Sequence, residues 1–312
     1  MTTPPKPRAK PRAKPATKST TAKPRAAARP SAAGGLADRL AARIVAVDGA
    51  RVKARTAELA DAAKAAGVKA LVPYLKRPRV ATFLASVMEA SPFLRDLMMD
   101  DPARLAALLA EEPEKRLARI AAETEAAWKG ADESDLMAAL RKGRQDVALT
   151  AGLADLGGVL DVVAVTAALT TFADAAVRAA VRFLLTAAAE AGEVELADRK
   201  KPDAGSGWII LGMGKYGAGE LNYSSDIDLI VLYDPAVLRL AGDREPSVVF
   251  VKLTKRLVAL MQEHTVDGYV FRTDLRLRPD PGTTNIALST DAALQYYESL
   301  GQNWERAALI KA

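Results

Sequence analysis

From Leu36 to about Ala197, apolar residues recur at three- and four-residue intervals, the period of helices that bury one face. Proline and a short polar residue mark several starts. Pro92 behind Ser91 opens a segment with Phe93, Leu94, Leu97 and Met98 on its apolar side, and Pro102 behind Asp100-Asp101 opens one carrying Leu105, Leu108 and Leu109. Ser134 begins a third, with Leu136, Leu140 and Val147 at helical spacing, and Asp161 to Ala191 supplies one long helix or two. Gly157-Gly158 and Gly192 punctuate these runs, and no repeat of fixed period is present. Arg141, Arg144 and Asp146 read as a solvated helix face.

The pattern changes after the polar stretch Lys200 to Gly207. Trp208-Ile209-Ile210-Leu211 predicts a strand that enters the glycine turn Gly212-Met213-Gly214-Lys215. Ile227 to Tyr233 predicts a second strand, directly behind Ser224-Ser225-Asp226. Ser247 to Glu263 predicts a helix, with His264 just past its C-terminus. Phe271 to Pro279 predicts a third strand, with Arg272, Asp274, Arg276 and Arg278 on one face and Thr273, Leu275 and Leu277 on the other. We therefore expect an α+β chain, in which a helical N-terminal region over 36–198 precedes a domain of strands and helices over 199–312.

Composition narrows the chemistry. The 312 residues include no cysteine and one histidine, which excludes thiolate and clustered-imidazole metal sites and leaves carboxylates, lysine, arginine and oxygen-seeking metals. The formal charge of +6 belongs to one end. Nine of the 44 basic residues and seven of the 17 prolines lie in the first 33 positions, which hold no acidic residue; the remainder carries 35 basic against 38 acidic. Residues 1–35 read as a disordered basic tail, able at most to make weak nucleic-acid contact. No secretory apolar region and no run of 18 uninterrupted apolar residues occurs, so we expect a cytoplasmic protein without a membrane span.

Asp226 and Asp228 stand two apart along a strand, so both carboxylates project to one side. Two such charges repel, and Mg²⁺ or Mn²⁺ would neutralise them. The glycine turn offers backbone N–H groups and close approach to a phosphate. Asp274 on the third strand could join the pair, with Arg272, Arg276 and Arg278 meeting phosphate oxygens. The bland alternative is a cross-strand ladder of ion pairs.

The order strand, glycine turn, Asp-x-Asp strand, helix, Asp strand resembles the polymerase-β-like nucleotidyltransferase superfamily, which implies a catalytic domain with a mixed β-sheet over 199–312. The runs from Leu211 to Ile230, from Asp274 to Asp280 and from Tyr296 to Ala312 resemble bacterial bifunctional glutamine-synthetase adenylyltransferase/deadenylyltransferase. Asn222-Tyr223-Ser224-Ser225-Asp226-Ile227-Asp228 and Asn303-Trp304-Glu305-Arg306 resemble its N-terminal, deadenylylating copy. The resemblance implies phosphorolysis, in which inorganic phosphate attacks AMP-tyrosine on glutamine synthetase and ADP leaves. It makes Asp226, Asp228 and Asp274 the metal-binding acids. Gly212, Gly214, Lys215, Ser224, Ser225, Arg276 and Arg278 become nucleotide- or phosphate-binding residues. It also implies ATP/ADP and a PII-type signal protein as partners in nitrogen metabolism.

Two departures stand out: Tyr216 replaces the family's usual leucine, and Pro281-Gly282-Thr283-Thr284 replaces a glycine-rich loop. Because the family continues past the position of Ala312 into a second catalytic domain, we expect a truncated chain. Two other readings are open: a nucleotidyltransferase acting on RNA or a small molecule, and a non-catalytic module that binds glutamine synthetase or PII.

Overall fold

The structure, a computed structural model, describes residues 34–41, 48–237 and 239–312. The expected basic tail lies outside them except for Gly34 and Gly35. In the helical region, α1 (Leu36–Arg39) and α2 (Gly49–Ala65) lead through a 3₁₀ turn into α3 (Val72–Leu75) and α4 (Pro78–Ala90). Then follow α5 (Pro92–Asp100), α6 (Pro102–Ala110), α7 (Pro113–Ala126), α8 (Glu133–Leu156) and α9 (Val162–Glu190).

Each of α4 to α7 begins with proline at its first helical position, where the missing N–H would have had no partner in any case. Side-chain oxygens complete two of these caps. Ser91 Oγ accepts from the Leu94 N–H at 3.2 Å, and Asp101 Oδ1 accepts from the Arg104 N–H at 2.9 Å. The third expected start lies slightly earlier than Ser134, because Asp132 caps α8 through the Asp135 N–H at 2.8 Å. Asp161 caps α9, which runs unbroken to Glu190 as one helix. By length and composition α9 is the one helix among the described residues that could cross a membrane, but it packs against α7, α8 and the helix Pro246–Gln262.

The second half contains β1 (Trp208–Met213), α10 (Gly214–Gly217), β2 (Ile227–Tyr233), α11 (Pro246–Gln262), β3 (Thr273–Asp274), β4 (Leu288–Ser289), α12 (Thr290–Ser299) and α13 (Asn303–Ala308). β1 pairs antiparallel with β2, and β2 pairs in parallel with both β3 and β4, giving the expected mixed sheet.

Two apolar clusters form the core. One gathers Leu36, Leu59, Phe83, Met98 and Leu109 from the first helices, together with Leu149 of α8. The other joins Leu140, Phe172 and Leu185 of α8 and α9 to Leu229, Phe250 and Phe271 around the sheet. The connection around residue 198 is exposed, yet this second cluster continues across it, so the long helices serve as the floor of the sheet.

The expected solvated face of α8 is corrected by the structure. Arg141 is fully buried, and its guanidinium donates to the carbonyl oxygens of Met137, Leu260, Glu263 and Gly268. Asp146 accepts from the buried Arg116 at 2.8 Å, and Arg144 reaches the carbonyl of Tyr223. Arg141 is inside because carbonyls at the end of α11 and in the turn after it need donors that the backbone does not supply, and Arg144 serves the Tyr223 carbonyl in the same way.

Candidate active site

The candidate residues converge where three strands meet. In the antiparallel pair, Met213 lies opposite Asp228; in the parallel pair, Asp228 lies opposite Asp274. Partners in a ladder project to the same face, so the Asp228 and Asp274 carboxyls share one side of the sheet. Asp226 sits just before β2, where the Ile227 N–H donates to the Arg272 carbonyl at 3.0 Å and ties the start of β2 to the approach of β3.

The glycine turn is shaped around one of these acids. Gly214 has φ +58°, and a Cβ there would stand 3.0 Å from Asp228 Oδ2. Both the backbone conformation and the space therefore call for glycine. At Gly212 a Cβ would meet the Tyr216 ring at 2.8 Å. Tyr216, the departure from the family pattern, is buried, and burial followed by the charge of Asp174 raises its hydroxyl above the usual range. Ser224 and Ser225 belong to a closed loop. Asn222 Oδ1 accepts from the Ser224 N–H at 3.1 Å and from Ser225 Oγ at 2.9 Å, while Ser225 Oγ accepts from the Asn222 N–H.

The electrostatics are uneven. Burial, then the negative charges of Asp274 and Asp226, push the Asp228 carboxyl up, while Arg276 and Lys215 act in the opposite sense. Asp274 is held below its usual range by its hydrogen bond to Arg276. That guanidinium reaches both carboxylate oxygens, with Nε at 3.0 Å from Oδ1 and 2.9 Å from Oδ2. Arg272 holds Asp226 through a single oxygen, its Nε at 2.7 Å from Oδ1, and also donates to the Ser224 carbonyl at 3.1 Å.

The predicted third strand is corrected. It ends at Asp274, because Asp274 Oδ1 accepts from the Arg276 N–H at 2.8 Å and the chain turns there. Arg278 consequently does not share a strand face with Asp274. It binds the carbonyls of Leu275 and Pro281, each at 2.8 Å, and of Asn285 at 3.1 Å, closing the loop that holds Pro281-Gly282-Thr283-Thr284.

In this arrangement no group of three His, Asp or Glu side chains among the described residues is gathered to hold a metal ion. Arg272 and Arg276 draw two of the three carboxylates onto themselves. The donor set nevertheless suits Mg²⁺ or Mn²⁺: it is all carboxylate oxygen, two of its members are register partners, and Asp228 carries a charge conflict that a cation relieves. Asp226, Asp228 and Asp274 would hold such an ion once the two arginines turned outward; both arginines are solvent-exposed. A hollow of about 840 Å³ between α9 and α11 is lined by none of the candidate residues.

Sequence reasoning missed the supports beneath the site, namely Arg144 on Tyr223 and the Tyr223 hydroxyl on Asp155 Oδ2 at 3.1 Å. The spacing of Arg141, Arg144 and Gln145 on one face of a helix was the available signal.

A family model described as glutamate-ammonia ligase adenylyltransferase matches residues 81–312. Three similar proteins are named bifunctional glutamine synthetase adenylyltransferase/adenylyl-removing enzyme. That of Xanthobacter autotrophicus is 51% identical over 237 residues, covering 76% of this chain and 24% of the relative. That of Bradyrhizobium diazoefficiens is 47% identical, covering 85% and 26%, and that of Brucella suis is 44% identical, covering 85% and 27%. The chain thus spans about a quarter of the length of the curated relatives it matches.

Proposed function

The chain belongs to the glutamate-ammonia ligase adenylyltransferase family, and on that premise we propose that it is a nucleotidyltransferase unit acting on glutamine synthetase. The reaction is removal of AMP from a modified tyrosine by phosphorolysis. An oxygen of inorganic phosphate attacks the α-phosphorus of adenylyl-tyrosine. The bond from phosphorus to the tyrosine oxygen breaks, ADP leaves, and the phenolate takes a proton. A bound Mg²⁺ or Mn²⁺ would supply charge neutralisation at the reacting phosphoryl oxygens.

The protein's part is positioning and electrostatics. Asp226, Asp228 and Asp274 would hold the cation, Gly214 leaves the turn beside Asp228 free of a side chain, and Gly212, on β1, leaves room for the Tyr216 ring. Released from their carboxylates, Arg272 and Arg276 have exposed guanidiniums available for phosphate oxygens. Arg278 acts on the loop instead, through its carbonyl contacts. Control by a PII-type signal protein and a cytoplasmic location belong to the same proposal and rest on the family resemblance.

The observation that carries this reading is the register of Asp228 against Asp274, with Asp226 two residues before Asp228. Glutamine synthetase labelled as AMP-tyrosine tests it. With Mg²⁺ and phosphate, the wild-type chain should release the label as ADP and Asp228→Asn should not. Folded wild-type chain that releases no ADP contradicts the proposal. Label passing instead from ATP onto unmodified glutamine synthetase would assign the chain the opposite direction.

A further inference from the structure

We infer that Arg144 of α8 is a positioning residue that sets the distance between the two segments bearing the carboxylates. The inference deepens the proposed function and rests on reading those carboxylates as a cation site. Arg144 touches both segments. Its Nη2 donates to the Tyr223 carbonyl at 2.7 Å, and its guanidinium carbon lies 5.2 Å from the centre of the Phe271 ring. Tyr223 stands three residues before Asp226, and Phe271 three residues before Asp274. One planar cation therefore bridges equivalent points upstream of two acids that must meet.

The surroundings make this bridge stiff. Arg144 Nη1 is buried without a hydrogen-bond partner, and burial lowers the guanidinium pKa, so the group sits inside the joint instead of waving in solvent. The ring face offers the buried charge a favourable neighbour. Neighbouring side chains of α8 fix the same two segments. Gln145 Nε2 donates to the Asp267 carbonyl at 3.1 Å, Arg141 holds Gly268, and Asp155 receives the Tyr223 hydroxyl. The helix is thus a common base for both segments, and Arg144 is the contact placed between them. Lysine has a single compact ammonium and cannot both stack flat and donate in the plane as arginine does, so the substitution should loosen the spacing without removing the charge.

The test uses the full chain with Arg144→Lys, Arg144→Met and Phe271→Leu. Amide hydrogen exchange reports peptides covering 221–227 and 269–275, with peptides from α4 as a distant reference. Mn²⁺ titration, followed by the paramagnetic resonance of the free ion, reports the site. We expect both peptides to exchange faster together in Arg144→Met while α4 stays as in wild type. Mn²⁺ affinity should fall by about tenfold or more, the usual effect of removing a group that orients a metal ligand. Arg144→Lys should recover part of both.

Exchange that rises in only one peptide, in neither, or equally throughout the chain overturns the inference, as does unchanged Mn²⁺ affinity in Arg144→Met when wild type binds the ion. If Arg144→Met does not fold, Phe271→Leu keeps the apolar contact, removes the ring face, and decides by the same paired exchange. A wild-type chain that binds no Mn²⁺ contradicts the proposed function, and the paired exchange still decides the role of Arg144.

Discussion

Asp228 and Asp274 are register partners on adjacent parallel strands, β2 and β3, yet their surroundings push their carboxyls to opposite sides of the ordinary carboxylate value. Burial and two like charges raise Asp228, whereas the Arg276 fork lowers Asp274. One acid of the pair is thus short of a cation and its neighbour already has one.

This asymmetry gives opposite pH signatures in chain freed of divalent cations. A raised carboxyl contributes stability fully below its ordinary value and loses it as pH rises through the raised one. Asp228→Asn should therefore be more stable than wild type at neutral pH, and the gain should vanish in acid below the ordinary carboxylate value. A lowered carboxyl contributes stability above its ordinary value, and loses it as pH falls through the depressed one. Asp274→Asn should be less stable at neutral pH, with the loss disappearing in strong acid. Thermal unfolding of both variants across that range, in chelator, measures the two trends.

Gly214→Ala should cost about 1–2 kcal/mol of stability, the penalty of a left-handed conformation for a residue with a Cβ. It should also lower turnover, because that Cβ presses on Asp228 Oδ2. Urea unfolding and ADP release check the two effects separately.

Arg276→Gln should uncouple cation binding from catalysis. The arginine competes with a metal for Asp274, so removing it should tighten Mn²⁺ binding severalfold, as expected for loss of an exposed competing charge. Turnover should fall by about a hundredfold if the guanidinium stabilises phosphoryl charge. Mn²⁺ titration beside kinetics with adenylylated glutamine synthetase separates the two.

Arg141→Met should destabilise the chain by about 3 kcal/mol, since it leaves buried carbonyls at the end of α11 without their charged donor. Equilibrium unfolding in urea measures the loss.

The sequence was most legible where one residue decides a local conformation. Ser91-Pro92 and Asp101-Pro102 mark real helix starts, because proline and cap act within a single turn. The strand through Asp228 was legible because branched apolar neighbours surround its acids. Beyond Asp274 alternation misled, since the Asp274 side chain captures the Arg276 N–H and ends the strand, a local bond that alternation does not encode. Arg141 and Arg144 misled for another reason. A buried arginine and a surface arginine have the same letter, and the carbonyls that draw these two inward come from Tyr223 and from the far end of α11 and its turn.

Crystals of the chain soaked in Mn²⁺ and phosphate, examined by anomalous diffraction, test the carboxylate site most directly. We expect manganese bound by oxygens of Asp226, Asp228 and Asp274, with Arg272 and Arg276 turned away from the acids. Manganese found elsewhere, or none at saturating concentration with both arginines still on their carboxylates, would contradict the account.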